Sequence, residues 1–155
     1  MMRVRLYPQG DGNARKTHMS LFFVLMRSEY DAILKFPFNF KVTFCLYDQS
    51  GNSAHIVDAF RPDTKSNSFQ RPRSEMNIAS GIPKFVPLST LQEKASSYIQ
   101  DDTMFIKIMI EFIEQPKALQ AFILGLNPAL PVSTQQSLIK NEEKKGQSSS
   151  TSANS

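Results

Sequence analysis

Apolar and polar positions alternate with a two-residue period through much of this chain, and each alternating stretch ends at a cluster of turn-forming residues. Met2 to Tyr7, MRVRLY, interleaves long basic and apolar side chains and stops at Pro8-Gln9-Gly10-Asp11-Gly12, a Gly-rich turn. THMSLFFVLMR (17–27) is a nearly continuous apolar run, which predicts a strand buried on both faces. KVTFCLYD (41–48) sets Val42, Phe44 and Leu46 against Thr43, Cys45 and Tyr47, and HIVDAF (55–60) follows after another turn cluster. IPKFVPL (82–88) is extended, but Pro83 and Pro87 cannot donate to a ladder, so it belongs at a sheet edge. LSTLQEKASS (88–97) predicts a short helix with Ser89 or Thr90 as its cap, and TMFIKIMIEFI (103–113) alternates clearly as a last strand. About six short strands separated by turns predict an all-β fold, an antiparallel β-sandwich.

The pattern changes beyond Glu114. PKALQAFILGL, opened by Pro116, predicts a short apolar helix stopped by Gly125 and Asn127-Pro128. From Lys140 the chain is charged and then nearly all Ser, Thr, Asn and Gly, a composition that predicts disorder. The expected organisation is a sandwich domain over 1–113, a part-helical extension over 114–139 and a disordered tail over 140–155.

Composition adds exclusions. A length of 155 residues suits one domain with a real core. The net charge is +4, yet Arg3, Arg5, Arg15 and Lys16 are the densest basic group and the other cations are spread among acids, which argues against specific nucleic-acid binding. Cys45 is the single cysteine, so an internal disulfide is excluded and a reducing compartment is expected. No N-terminal stretch has the order of a secretory signal and no apolar run reaches the roughly 20 residues of a membrane span. A soluble cytoplasmic chain without membrane insertion is expected.

Catalytic and metal patterns are weak. GDGNARKT (10–17) approaches a phosphate-cradling loop, but Arg15 stands where the second Gly is required and a strand, not a helix, is expected next. Cys45, His18 and His55 could supply a nucleophile and a base, but Cys45 lies mid-strand, and one Cys with two distant His does not make a structural zinc site. Asp101 and Asp102 read as turn residues. Neither enzyme activity nor a cofactor is expected.

DAFRPDTKSNSFQRP (58–72) stands out because the polar run T-K-S-N-S is held between Phe60 and Phe69. Such a loop is an ordinary turn, or it presents hydrogen-bonding groups to a ligand. YPQGDG (7–12), THMSLFFVLM (17–26), FPFNFKVTFCLYDQ (36–49), HIVDAFRPD (55–63), SFQRP (68–72), MNIASGIP (76–83) and DDTMFIKIMIE (101–111) together resemble the C-terminal domain of the tumour-necrosis-factor-receptor-associated factors, the TRAF domain of the MATH class. The likeness runs in unbroken order over about residues 3–112.

This resemblance implies an eight-stranded antiparallel sandwich, of which this chain begins at the third strand, and a signalling adaptor that adds receptor-tail peptides of acidic Pro-x-Gln/Glu type beside the edge near Gly81. It implies that Arg5 and Tyr7 receive a peptide acid, with Asp11 in the following turn, and that Phe22, Phe60 and Phe69 surround a pocket for a small residue. Ser66 and Ser68 match the outer members of a three-serine set that reads a Gln or Glu, with Asn67 departing in the middle, and Ser80 and Gly81 match backbone contacts. Without the resemblance, Phe22 and Phe69 also fit core positions and Arg5 a solvated strand position. Implied partners are receptor cytoplasmic-tail peptides and other TRAF-family chains, although the coiled coil that drives trimers in the family is not in the sequence. The alternative reading is a MATH-type module that brings substrates to a ubiquitin ligase on another chain.

Overall fold

The computed structural model describes residues 1–93, 95–112 and 117–151, by backbone alone at 95, 96 and 147–151. It divides into two units, Met1–Phe112 and Ile113–Ser155.

In the first unit the alternating stretches become six strands: β1 (Met2–Tyr7), β2 (His18–Leu25), β3 (Val42–Leu46), β4 (Ile56–Phe60), β5 (Ser80–Pro87) and β6 (Ile106–Ile110). They form two antiparallel three-stranded sheets, ordered β1-β2-β5 and β4-β3-β6. The central strands carry the longest apolar runs, because a strand paired on both sides is the one most completely removed from water. Met19, Leu21, Phe23 and Leu25 of β2 and Val42, Phe44 and Leu46 of β3 meet between the layers, joined by Phe85 and Val86 of β5 and by Phe38, Phe69 and Tyr98. The two prolines of β5 sit on an outer strand, as their missing N–H groups require. The predicted helix at 88–97 appears as α1 (Leu88–Glu93) and α2 (Ala95–Tyr98).

β1 and β6 are also outer strands, and their core-side residues are not well covered. Met2, Leu6 and Ile108 alternate with the outward positions of their strands yet are 44%, 40% and 43% exposed. A groove of about 460 Å³ opens beside Met2, lined among others by Leu25, Phe36, Phe38, Phe40 and Phe112.

The string Gly10–Thr17 folds as a turn. Residues Gly12–Ala14 make a 3₁₀ turn capped by the Asp11 carboxylate, and β2 follows in place of the helix that a phosphate loop needs. Gly10 has φ +77°, and a Cβ there would lie 2.3 Å from the carbonyl oxygen of Ala14 and 2.4 Å from that of His18. The glycine is therefore needed for the close return of the chain.

The second unit holds α3 (Lys117–Gly125) and α4 (Val132–Thr151), packed on each other around the turn Asn127–Leu130. The boundary drawn at residues 113–114 and the expected helix start at Pro116 lie outside the described residues. The stretch from residue 140, expected as a disordered tail, begins within α4, which continues through Lys140 to Thr151. Glu, Lys and Gln are polar enough to resemble a disordered tail but are also strong helix formers, and Lys145 Nζ lies 3.3 Å from Glu142 on the same face. Residues 152–155 are outside the described part. No helix among the described residues is long and apolar enough to cross a membrane.

Candidate functional site

The outer face of sheet β1-β2-β5 is ordered by register. Arg5 stands opposite Phe22, and Phe22 stands opposite Gly81, so one row crosses all three strands. Leu21 and Phe23 point into the core, which sends Phe22 to the outer face. There its ring meets Tyr7 edge to face, with centroids 5.7 Å apart.

Glycine at position 81 has a packing reason. The β2–β5 pairing shifts register between Met19 and Leu21, and a Cβ on residue 81 would lie 2.3 Å from the carbonyl oxygen of Leu21 and 2.7 Å from Cα of Phe22. Backbone atoms cannot step aside, so only glycine admits this approach.

Buried Ser20 holds the neighbouring turn in place. Its hydroxyl donates to the carbonyl of Pro83 on β5 and accepts the N–H of Asp11 at 3.2 Å. Asp11 is thereby fixed beside Tyr7. Arg5, Tyr7, Asp11 and Phe22 line one cavity of about 440 Å³ whose remaining wall is Met76, Asn77, Ile78 and Ala79. The Arg5 guanidinium has no carboxylate within ion-pair distance among the described residues, and its Nη2 contacts the Met76 thioether at 2.9 Å. A half-buried cation facing a weak acceptor, beside a phenol, is suited to exchange that acceptor for a carboxylate.

The T-K-S-N-S loop lies against the same wall. The Ser66 hydroxyl accepts the N–H of Ser68 at 3.2 Å and caps the 3₁₀ turn Asn67–Phe69. Asn77 donates its carboxamide to the carbonyls of Ser68, 3.1 Å away, and Gln70, 2.7 Å away. Asn67 is exposed and lines a second cavity of about 590 Å³ with Gln70, Arg71, Arg73, Ser74 and the same Met76, Asn77 and Ile78. The two cavities thus share a wall, topped by Ile78, which is 75% exposed.

Family models place residues 1–107 in the TRAF/meprin, MATH domain family. The chain belongs to that family. Among curated relatives of this MATH domain, human TNF receptor-associated factor 1 is 58% identical over 108 residues, covering 70% of this chain and 26% of the relative. Human TNF receptor-associated factor 2 is 54% identical over 110 residues, covering 71% of this chain and 22% of the relative. The chain therefore spans about a quarter of the length of these relatives. A solved TRAF5 structure from Notothenia coriiceps superposes with a TM-score of 0.69 at 41% identity, over 74% of this chain and 57% of that one.

The eleven residues that the MATH resemblance singled out are thus distributed unevenly. Arg5, Tyr7, Asp11 and Phe22 converge on one cavity, and Asn67 lines the adjoining one. Ser66 and Ser68 are half-buried in the turn beside Asn67, and Ser80 and Gly81 begin β5. Phe60 ends β4 half-buried, its ring 6.1 Å from those of Phe44 and Phe69. Phe69 is 2% exposed and stacks on Phe38 at 6.5 Å inside the core, the position that the sequence also allows without the resemblance, and it supports the loop from beneath.

Met76, Asn77 and Ile78 were missed as site residues. MNIASG was legible as a motif, but the carbonyls that Asn77 binds belong to residues seven and nine positions earlier, and no local pattern pairs them. Elsewhere, Cys45 is fully buried on β3, and burial pushes its thiol up, with Lys107 opposing. His55 Nδ1 accepts the N–H of Asp48. Among the described residues no group of three or more His, Cys, Asp or Glu could hold a metal.

Proposed function

We propose that this MATH domain is the peptide-reading part of an intracellular signalling adaptor, and that it binds short acidic Pro-x-Gln/Glu-type segments of receptor cytoplasmic tails. The observation that carries the reading is the convergence of Arg5, Tyr7, Asp11 and Phe22 on one cavity beside the outer strand β5. Arg5 and Tyr7 would take the peptide carboxylate, Phe22 the apolar residue, and Ser66, Asn67 and Ser68 the Gln or Glu. Backbone groups at Ser80 and Gly81 would pair with the peptide as an added strand. The relatives' description as TNF receptor-associated factors supports receptor tails as the source of the peptide. Association with other chains of the family would raise avidity for clustered receptors.

The test is a two-dimensional amide NMR titration of the chain with a Pro-x-Gln-Glu peptide. Shifts confined to residues around Arg5, Ser66–Ser68 and Gly81, and lost in Arg5→Ala, are expected. A well-dispersed spectrum that ignores this peptide and responds to Ser/Thr-rich segments would overturn the adaptor reading in favour of a substrate module for a ligase.

A further inference from the structure

The cavity on the Asn67 side of the shared wall differs chemically from the one that holds Arg5. Among the described residues its lining contains two arginines and no acid. Most of its polar groups are already engaged. Arg71 donates to the carbonyls of Asp31 and Leu34 and stacks over the Phe36 ring with 5.1 Å to the centroid. Gln70 donates to the Thr64 carbonyl, Ser74 to that of Met76, and Asn77 to those of Ser68 and Gln70. Arg73 alone is a cation in this lining with no hydrogen bond, ion pair or ring contact among the described residues, and it is exposed.

From this we infer that Arg73 is a second acid-reading position: it takes an additional Asp or Glu of the bound peptide, on the other side of the Met76–Ile78 wall from the acid held by Arg5. This deepens the proposed function and rests on it. The two cavities have Met76, Asn77 and Ile78 in common, so an extended peptide that occupies the first and passes Asn67 continues into the second. A single uncommitted guanidinium suits a monoanionic carboxylate, which it can meet with two parallel N–H groups. The two arginines in this lining, with Arg5 and Asp11 in the other, give the continuous groove a net positive charge, which favours acidic segments over neutral ones at encounter.

The experiment uses a panel of peptides built on Pro-x-Gln-Glu, each with one further Glu placed at a different flanking position. Dissociation constants are measured for the chain as it stands, for Arg73→Gln and for Arg73→Lys. Because Arg73 bonds to nothing described, neither variant should disturb the fold, and matching amide spectra check this. At least one flanking position should strengthen binding to the unaltered chain by about two- to fivefold, the range an exposed ion pair supplies. That gain should vanish in Arg73→Gln, survive in part in Arg73→Lys, and shrink in high salt, while the parent peptide binds all three alike. If the parent peptide binds but no flanking Glu distinguishes the unaltered chain from Arg73→Gln, the inference falls and the proposed function stands. If the parent peptide binds none of them, both fall.

Discussion

The side-chain amide of Asn77 donates to the carbonyl oxygen of Ser68 across 3.1 Å, tying the segment that leads into β5 to the loop between two phenylalanines. The same nitrogen donates to Gln70 at 2.7 Å, so both N–H groups of one carboxamide are used in holding one turn. Loss of these two half-buried bonds leaves carbonyls to be rehydrated and frees Asn67 and Ser68 to wander. Asn77→Ala is expected to cost about 1–2 kcal/mol of stability and to weaken peptide binding through the loop. Faster amide hydrogen exchange over residues 66–70, with β3 unchanged, is the measurement; unchanged exchange there would refute the tether. Asn77→Asp should be worse, since an acceptor-only carboxylate would face two carbonyl oxygens.

Phe69 and Phe22 are expected to fail in opposite ways. Phe69 is inside the core with Phe38 and Phe60, and Phe69→Ala should cost about 3–5 kcal/mol, enough to unfold a marginal domain. Phe22 is half-buried on the outer face, and Phe22→Ala should cost only about 1–2 kcal/mol while removing apolar contact from the cavity. Urea denaturation measures the first effect and peptide titration the second. A Phe69→Ala variant of native stability would show that its burial contributes little.

Gly81→Ala should destabilise the domain whether or not a peptide binds. The added Cβ meets backbone atoms of Leu21 and Phe22, so β2 and β5 must separate at their register shift. A loss of about 1–3 kcal/mol is expected, as for overpacking elsewhere. Thermal denaturation without peptide checks it, and a variant as stable as the parent would mean that the strands part easily.

Acid should weaken the fold through His55. Burial first, and then the Lys107 charge, hold the imidazole below its ordinary value of 6.5, with Asp48 opposing. Nδ1 already accepts the Asp48 N–H at 3.0 Å and Nε2 is buried without a hydrogen-bond partner among the described residues, so protonation would oppose two donors at Nδ1. A histidine whose folded value is depressed contributes stability that is complete above 6.5 and lost as pH falls towards and through the folded value. Asp48 acts in a lower window: burial pushes its carboxyl up, but bonds from Ser50 and Ala54 and the His55 charge outweigh this and hold it below 3.8. Urea midpoints should therefore decline from about pH 6.5 downward, and in His55→Gln the decline should begin only in the Asp48 window. Equal profiles for the two proteins would exclude His55 as the cause.

The sequence by itself determined the layers. A two-residue period in β3 and β6, a continuous apolar run in β2 and prolines in β5 are local consequences of which side chains must leave water and which backbone groups can pair, so strand positions were legible before any contact was known. The resemblance to the MATH class, and no spacing rule, marked Arg5, Tyr7, Asp11 and Phe22, which share one cavity. After Lys140, where α4 continues to Thr151, composition alone does not separate a solvated helix from a disordered chain. What only the tertiary structure decided is which groups are already spent. Phe69 faces inward because Phe38 and Phe60 converge on it, Asn77 is committed to carbonyls of a loop earlier in the chain, and Arg71 is held while Arg73 has no partner among the described residues. Those distinctions depend on pairings between residues distant in sequence, and such pairings exist only once the two sheets have closed on a common core.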